Sequence, residues 1–322
     1  MDMPRVAVLV DRDPPPNLAE IARICQVRTA RAADLPAALE GADVLLAWDF
    51  LTPVLAEAWP SADRLRWVHT ASAGVDNVLT PEVAASDVVV TNSRGVFDGS
   101  LSEYVLGLVL AFAKDLPGTW DRQRRREWQH RDTERVAGTT AVIVGVGPVG
   151  RATARLLRAV GVRVRGVGRT ARAGDPDFGD VSASADLVEL LPEADWVVLV
   201  APLTDETRGL VGAAELAAFR PTARLINVGR GGLVDEAALA DALRADRLAG
   251  AALDVFAQEP LPPSSPLWHL PGVLISPHMS ADAAGWREQL AEVFLDNLRR
   301  WCAGQPLRNV VDKAMGYVPT PR

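Results

Sequence analysis

The chain has 322 residues, 48% of them hydrophobic and 23% charged, with a formal net charge of −7. Its length exceeds one ordinary hydrophobic core and predicts two domains, while the acidic balance excludes a general nucleic-acid or membrane-surface role, which needs a basic face. The only cysteines, Cys25 and Cys302, lie far apart in sequence and fit two buried thiols in a reducing cytoplasm better than a disulfide framework.

Met1-Asp2-Met3 runs straight into the strand-like Arg5-Val6-Ala7-Val8-Leu9-Val10, with no signal-peptide pattern. A helix around Leu18 to Ile24 follows, then the apolar segments Val44 to Trp48, Trp67 to Thr70 and Val88 to Thr91. Alternation of this kind predicts a parallel sheet. The first strand ends in Asp11-Arg12-Asp13-Pro14-Pro15-Pro16, which contains no glycine and cannot cradle a phosphate.

From Ser100 a helical stretch, Leu101 to Ala113, leads into a second βα block. The uncharged runs Tyr104 to Ala113 and Val136 to Gly150 fall short of the roughly 18 apolar residues a membrane helix needs. Between them, Trp120 to Arg135 interleaves Arg122, Arg124, Arg125 and Arg126 with Asp121, Glu127, Asp132 and Glu134, which predicts a solvated or subunit-contacting helix. Further strands are predicted at 141–144, 162–167, 196–200, 223–228, 251–254 and 273–275, and a final helix from Trp286 to Trp301. The tail Leu307 to Val311 is placed to return to the first domain. The expected organisation is therefore one discontinuous domain, residues 1–99 and 286–322, with a second domain, residues 100–285, inserted in it and a cleft between them. There is no internal repeat and no extended low-complexity tract.

Gly145-Val146-Gly147-Pro148-Val149-Gly150 closes the strand Thr140 to Val144 and opens the helix Arg151 to Val160. In such a loop the first glycine permits a tight turn, the second admits a pyrophosphate and the third lets helix and strand touch, while the helix N-terminus presents free N–H groups to the anion. The next strand ends in Gly168-Arg169-Thr170, with no acid to hold a ribose 2′-hydroxyl. An arginine there can pair with a 2′-phosphate. NADP(H) is thus expected ahead of NAD(H), with Arg169 as the main determinant and Thr170 or Arg172 as helpers; the alternative is that Arg169 is a solvated loop cation.

Downstream, Arg230 follows the strand ending in Asn227-Val228-Gly229, Glu259 lies in the loop after Leu253-Asp254, and His278 follows Ile275-Ser276-Pro277. Reduction of a 2-keto acid needs a cation to hold the carboxylate and polarise the carbonyl, and an acid to protonate the developing alkoxide. Arg230 and His278 supply them, and Glu259 beside His278 is expected to favour the imidazolium and raise its pKa.

These residues resemble the D-isomer-specific 2-hydroxyacid dehydrogenase family, particularly its glyoxylate/hydroxypyruvate reductase members. The resemblance rests on the glycine loop, Ala201-Pro202-Leu203-Thr204, Asn227-Val228-Gly229-Arg230-Gly231, Ala252 through Phe256 with Glu259-Pro260-Leu261, Ser265-Pro266-Leu267-Trp268, Ser276-Pro277-His278 and Asp296-Asn297-Leu298. It implies an α/β protein of two doubly wound parallel-sheet domains, a Rossmann domain set into a flavodoxin-like one. It also implies Arg230 as the substrate-binding and polarising residue, His278 as acid/base and Glu259 as its partner. Asp254 would contact the nicotinamide carboxamide, Pro202, Val228, Gly229 and Ser280 would join the glycine loop around the cofactor, and no metal would be needed. Backbone amides of Ala73 and Gly74 would hold the substrate carboxylate, although the segment also reads as an ordinary turn. Trp48 reads equally as a pocket wall or a packing aromatic. Family members are usually homodimers joined through the cofactor domains, and the partners implied are small 2-keto or 2-hydroxy acids; the expected location, from the cysteines and the N-terminus, is cytoplasmic.

The chain departs from many relatives at Tyr104, where they have His, and at Arg94, where they have Pro; both changes bear on the dimer contact or the substrate pocket. Two alternatives stand beside the reductase: a cofactor-sensing interaction protein on the same fold, and a dehydrogenase directed toward oxidation of a bulkier 2-hydroxy acid.

Overall fold

The computed structural model describes residues 3–319, so Met1 and Asp2, which entered the signal-peptide reading, lie outside the described residues. The chain divides into two compact units, one built from the described residues up to Phe97 together with those from Ala283 onward, the other spanning Asp98–Asp282. Both are the α/β parallel-sheet architecture that the alternating pattern predicts.

The first unit holds β1 (Arg5–Leu9), β2 (Gln26–Ala30), β3 (Val44–Ala47), β4 (Trp67–Thr70) and β5 (Val89–Asn92), in the order β2-β1-β3-β4-β5. All are parallel, and four are short apolar runs buried almost throughout. The sequence did not announce β2: its residues are mostly exposed and polar, as suits an edge strand, and only Ala30 is buried. Alternate side chains face opposite ways. Leu9, Leu45, Val68 and Val90 join one apolar cluster, whereas Trp67 stacks on Phe294 of the helix Trp286–Cys302 with ring centroids 5.4 Å apart. The tail closes on the edge of this sheet, where Val311 N–H donates to the Val90 carbonyl at 2.9 Å.

The second unit holds β6 (Thr140–Val144), β7 (Arg163–Gly168), β8 (Arg172–Asp175), β9 (Gly179–Ala183), β10 (Trp196–Leu199), β11 (Arg224–Asn227), β12 (Gly250–Leu253) and β13 (Val273–Ile275). Their order is β13-β12-β11-β10-β6-β7-β9-β8. Every pairing is parallel except β8 with β9. Order reverses between β6 and β10, and such a switch point opens a ligand crevice at the carboxyl ends of the strands. Both faces of β6 are covered: Val142 and Val144 belong to one core cluster, Ala141 and Ile143 to another.

One expected element is shorter than its composition suggests. The helix spans Leu116–Arg125 and stops at Arg126, whose φ of 58° lies in the left-handed region. Residues 127–136 form no regular structure. They are held by side chains instead: Arg131 pairs with Asp115 at 2.6 Å, and Glu134 takes a bidentate grip from Arg224 at 2.7 and 2.8 Å. Charges that look like a solvated helix face in sequence are fastening an extended segment. The helix after the glycine loop begins at Pro148, earlier than the sequence suggests, because proline is pre-set for the first helical position and has no N–H to strand there.

Candidate active site

In the second unit the strand order brings the sequence-predicted groups to one edge. The glycine loop follows β6, Pro202 follows β10, Arg230 follows β11, Glu259 follows β12 and His278 follows β13, and these strands are mutually parallel. Gly145 has a φ of 112°, and a Cβ there would meet the Ala201 backbone nitrogen at 2.7 Å. At Gly150 a Cβ would lie 1.8 Å from the Gly145 carbonyl oxygen, so helix and loop touch. Around Gly147, by contrast, a Cβ would meet nothing within 4 Å. Two glycines are filled against protein and the middle one faces open space, which is the shape a dinucleotide phosphate cradle requires. The helix Pro148–Ala159 starts at this loop with its unsatisfied N–H groups. Val149 lies in its first turn.

At the end of β7, Arg169 and Thr170 are exposed. Arg172 is committed elsewhere: its Nε and Nη2 donate to Asp175 at 3.2 and 2.8 Å. Asp175 also receives both terminal nitrogens of Arg151, at 2.8 and 2.7 Å. These arginines hold its carboxyl far below the usual carboxylate range, the Arg151 hydrogen bonds outweighing its burial.

Arg230 sits in extended backbone just after β11, on a loop braced by the buried Asn227, whose Nδ2 donates to the Arg230 carbonyl at 2.9 Å and whose Oδ1 accepts from Gly229 N–H at 3.1 Å. Val228 and Gly229 are buried in the same turn. Arg230 Nη1 donates to the Gly229 carbonyl at 2.8 Å.

His278 Nδ1 lies 2.7 Å from Glu259 Oε2, with the two side chains 31% and 30% exposed. The other oxygen of Glu259 accepts from Phe256 N–H at 2.9 Å, which fixes the carboxylate plane. Burial pushes the Glu259 carboxyl up, but the His278 hydrogen bond, the Phe256 N–H and the charges of His278 and Arg230 together prevail and lower it. It is therefore a carboxylate at neutral pH. Geometry brings all three predicted groups to one carboxyl edge and couples Glu259 electrostatically to both of the others.

Asp254 shows a function that its sequence position did not reveal. It is 1% exposed, and Oδ1 accepts from Ser276 Oγ at 2.6 Å and Met279 N–H at 3.0 Å, while Oδ2 accepts from Ser280 N–H at 3.0 Å. Its carboxylate organises the loop that carries His278, and the buried Ser280 is part of that arrangement.

In the first unit Trp48 is 8% exposed and its Nε1 donates to the Asp13 carbonyl at 3.0 Å, surroundings that favour packing. After β4, the carbonyls of Ser72, Ala73 and Gly74 accept from Ser93 N–H at 2.9 Å, Asn92 Nδ2 at 2.5 Å and Ser72 Oγ at 2.6 Å. The Ala73 and Gly74 amides have no partner among the described residues. Such a run of bound carbonyls and unoccupied N–H groups is suited to an anion. Arg94 Nη1 donates to the Val318 carbonyl at 2.7 Å, so this departure fastens the tail. Tyr104 packs, partly buried, on an apolar cluster of the second unit. Among the described residues no cluster of His, Cys, Asp or Glu is suited to a metal, and no helix is long and apolar enough to cross a membrane.

Comparison with known proteins fits this geometry. Residues 106–280 match the family model described as D-isomer specific 2-hydroxyacid dehydrogenase, NAD binding domain. A glyoxylate reductase from Thermococcus gammatolerans is 34% identical over 274 residues, 82% of this chain and 81% of the relative. D-3-phosphoglycerate dehydrogenase from Mycobacterium tuberculosis is 33% identical over 330 residues, a match spanning 99% of this chain but 60% of that longer protein. Among solved structures, an NADPH-dependent glyoxylate/hydroxypyruvate reductase from Sinorhizobium meliloti, in complex with NADP and sulfate, superposes with a TM-score of 0.80 at 32% identity, covering 98% of this chain and 100% of that one. With its nucleotide cradle and its three strand-end residues in place, this chain belongs to the D-isomer-specific 2-hydroxyacid dehydrogenase family.

Proposed function

We propose that this protein reduces small 2-keto acids of the glyoxylate or hydroxypyruvate type to D-2-hydroxy acids, with NADPH preferred over NADH. The observation that carries the reading is the 2.7 Å contact of His278 Nδ1 with Glu259 Oε2, on loops following adjacent strands beside Arg230. A bound nicotinamide cofactor supplies the hydride. The glycine loop, with Gly147 open and the helix N-terminus behind it, holds the pyrophosphate, and Pro202, Val228, Gly229, Asp254 and Ser280 border the dinucleotide. Arg169 supports NADPH because it is exposed at the end of β7 and has no hydrogen bond or ion pair among the described residues. Solved relatives of the same family bind NADPH or NADP.

Arg230 binds the substrate carboxylate and polarises the carbonyl. His278 keeps its Nδ1 proton on Glu259 and delivers the Nε2 proton to the alkoxide as it forms, ending as a neutral ring still anchored by the carboxylate. The Ala73 and Gly74 amides bind the substrate carboxylate, residues 1–99 and 286–322 form the substrate domain and residues 100–285 form the cofactor domain. A cytoplasmic homodimer joined through the cofactor domains completes the proposal.

The phosphoglycerate dehydrogenase match across 99% of this chain favours one second reading, oxidation of a bulkier D-2-hydroxy acid. Consumption of NADPH and NADH with glyoxylate, hydroxypyruvate, pyruvate and longer keto acids separates the two. Fastest turnover on glyoxylate or hydroxypyruvate with NADPH is the expected result. Silence across the panel with dinucleotide binding intact would point to a cofactor sensor instead.

A further inference from the structure

His69 is fully buried in the first unit, packed on Trp67 and Phe294 with ring centroids 6.1 and 5.5 Å away. A polar ring in such a place must have its hydrogen bonds met. They form a directed chain. Trp67 Nε1–H donates to Thr91 Oγ1 at 2.8 Å, and His69 Nδ1 lies 2.8 Å from the same oxygen. His69 Nε2 lies 3.3 Å from Ser93 Oγ, which itself donates to the Thr70 carbonyl at 3.3 Å.

Because the Ser93 proton is used on Thr70, Ser93 accepts from His69 Nε2–H. Nδ1 is then the acceptor, and the Thr91 hydroxyl donates to it while receiving the Trp67 N–H. One neutral tautomer satisfies every group. The chain of bonds ends where the anion-binding loop begins. Ser93 N–H holds the Ser72 carbonyl, its neighbour Asn92 holds the Ala73 carbonyl, and Ser72 bonds both Thr70 Oγ1 and the Gly74 carbonyl.

We infer that His69 is a positioning residue for the Ala73 and Gly74 amides, acting through the Ser93 hydroxyl to fix the loop that receives the substrate carboxylate. The inference rests on the reading of that loop as the carboxylate site. His69 itself is too deeply buried to touch substrate.

Steady-state kinetics of the full chain with NADPH and glyoxylate test it, using Ser93→Ala, which leaves the core ring in place, alongside His69→Leu and His69→Gln. Losing one positioning hydrogen bond raises KM for glyoxylate about tenfold in Ser93→Ala and His69→Leu, with kcat changed less than about threefold and KM for NADPH unmoved. His69→Gln, which can still donate to Ser93, recovers most of the loss. Oxalate binding to the enzyme–NADP⁺ complex, followed by calorimetry, reads the anion site without turnover and weakens in parallel. Wild-type affinity for oxalate in both Ser93→Ala and His69→Leu would overturn the inference. Absence of keto-acid turnover in the wild type would instead strike the proposed reaction.

Discussion

His278 N–H donates to the Asp254 carbonyl at 2.8 Å, and the Asp254 carboxylate, in the same buried position, receives Met279 N–H, Ser280 N–H and the Ser276 hydroxyl. His278 has a φ of 51°, a conformation that non-glycine residues seldom adopt and that must be held by its surroundings. Asp254 is what holds it. An asparagine keeps one acceptor and turns an NH₂ toward a backbone donor, leaving buried groups unpaired at a cost of about 1–3 kcal/mol. Asp254→Asn should therefore lower both thermal stability and kcat, the latter by tenfold or more as an order of magnitude. Unfolding curves and steady-state kinetics on the same preparation check both effects.

The Arg230 loop depends on a close approach in the same way. A Cβ at Gly231 would lie 1.8 Å from the Phe256 carbonyl carbon, which is backbone and cannot swing aside. Gly231→Ala must push the Arg230 loop away from the loop that carries Glu259. Misplacement on the scale of 1 Å costs about 100-fold in turnover, so kcat/KM for the keto acid should fall by about that factor while dinucleotide binding, measured by fluorescence titration, is retained.

Cofactor choice has its own test. Arg172 is engaged by Asp175, and Arg169 is the proposed partner of a 2′-phosphate. A charge-assisted hydrogen bond is worth about 1.5–3 kcal/mol, so Arg169→Ala should cut the NADPH-to-NADH ratio of kcat/KM by roughly 10- to 100-fold. An unchanged ratio would return Arg169 to the role of a solvated cation.

The buried ring of His69 makes stability depend on acid. Burial lowers its pKa from the ordinary 6.5 to about 3. Between those values the unfolded chain takes up a proton that the folded chain refuses, so the contribution is complete above about pH 6.5 and is lost as pH falls toward 3. One proton corresponds to a slope of about 1.4 kcal/mol per pH unit within that window. Urea unfolding of wild type and His69→Gln at pH 7, 6, 5 and 4 should show a shallower decline in the variant.

Much of the placement was legible in the sequence because each candidate site residue follows an apolar strand that cannot be mistaken for a loop. Arg230, Glu259 and His278 come after Leu225-Ile226, Ala251-Ala252-Leu253 and Val273-Leu274-Ile275, and a parallel sheet must present such successors at one edge. What escaped were the edge elements. β2 and the β8–β9 hairpin are short, polar and largely exposed, so they lack the hydrophobic run that marks an interior strand. Also unseen were relationships that need cross-strand register. His69 meets Thr91 only because β4 and β5 pair as they do, and the three donors that converge on the Asp254 carboxylate come from a loop more than twenty residues further along the chain.

The proton relay itself is tested most directly by the pH dependence of keto-acid reduction in Glu259→Gln. Glu259 has a lowered pKa and stays ionised throughout the neutral range, so its negative charge faces His278 Nδ1 at 2.7 Å. A carboxamide removes that charge while keeping the shape. The basic limb of the kcat profile should move to lower pH in the variant, with kcat at neutral pH falling by roughly 10- to 100-fold. A basic limb at the wild-type position, with kcat preserved, would contradict the pairing on which the mechanism stands.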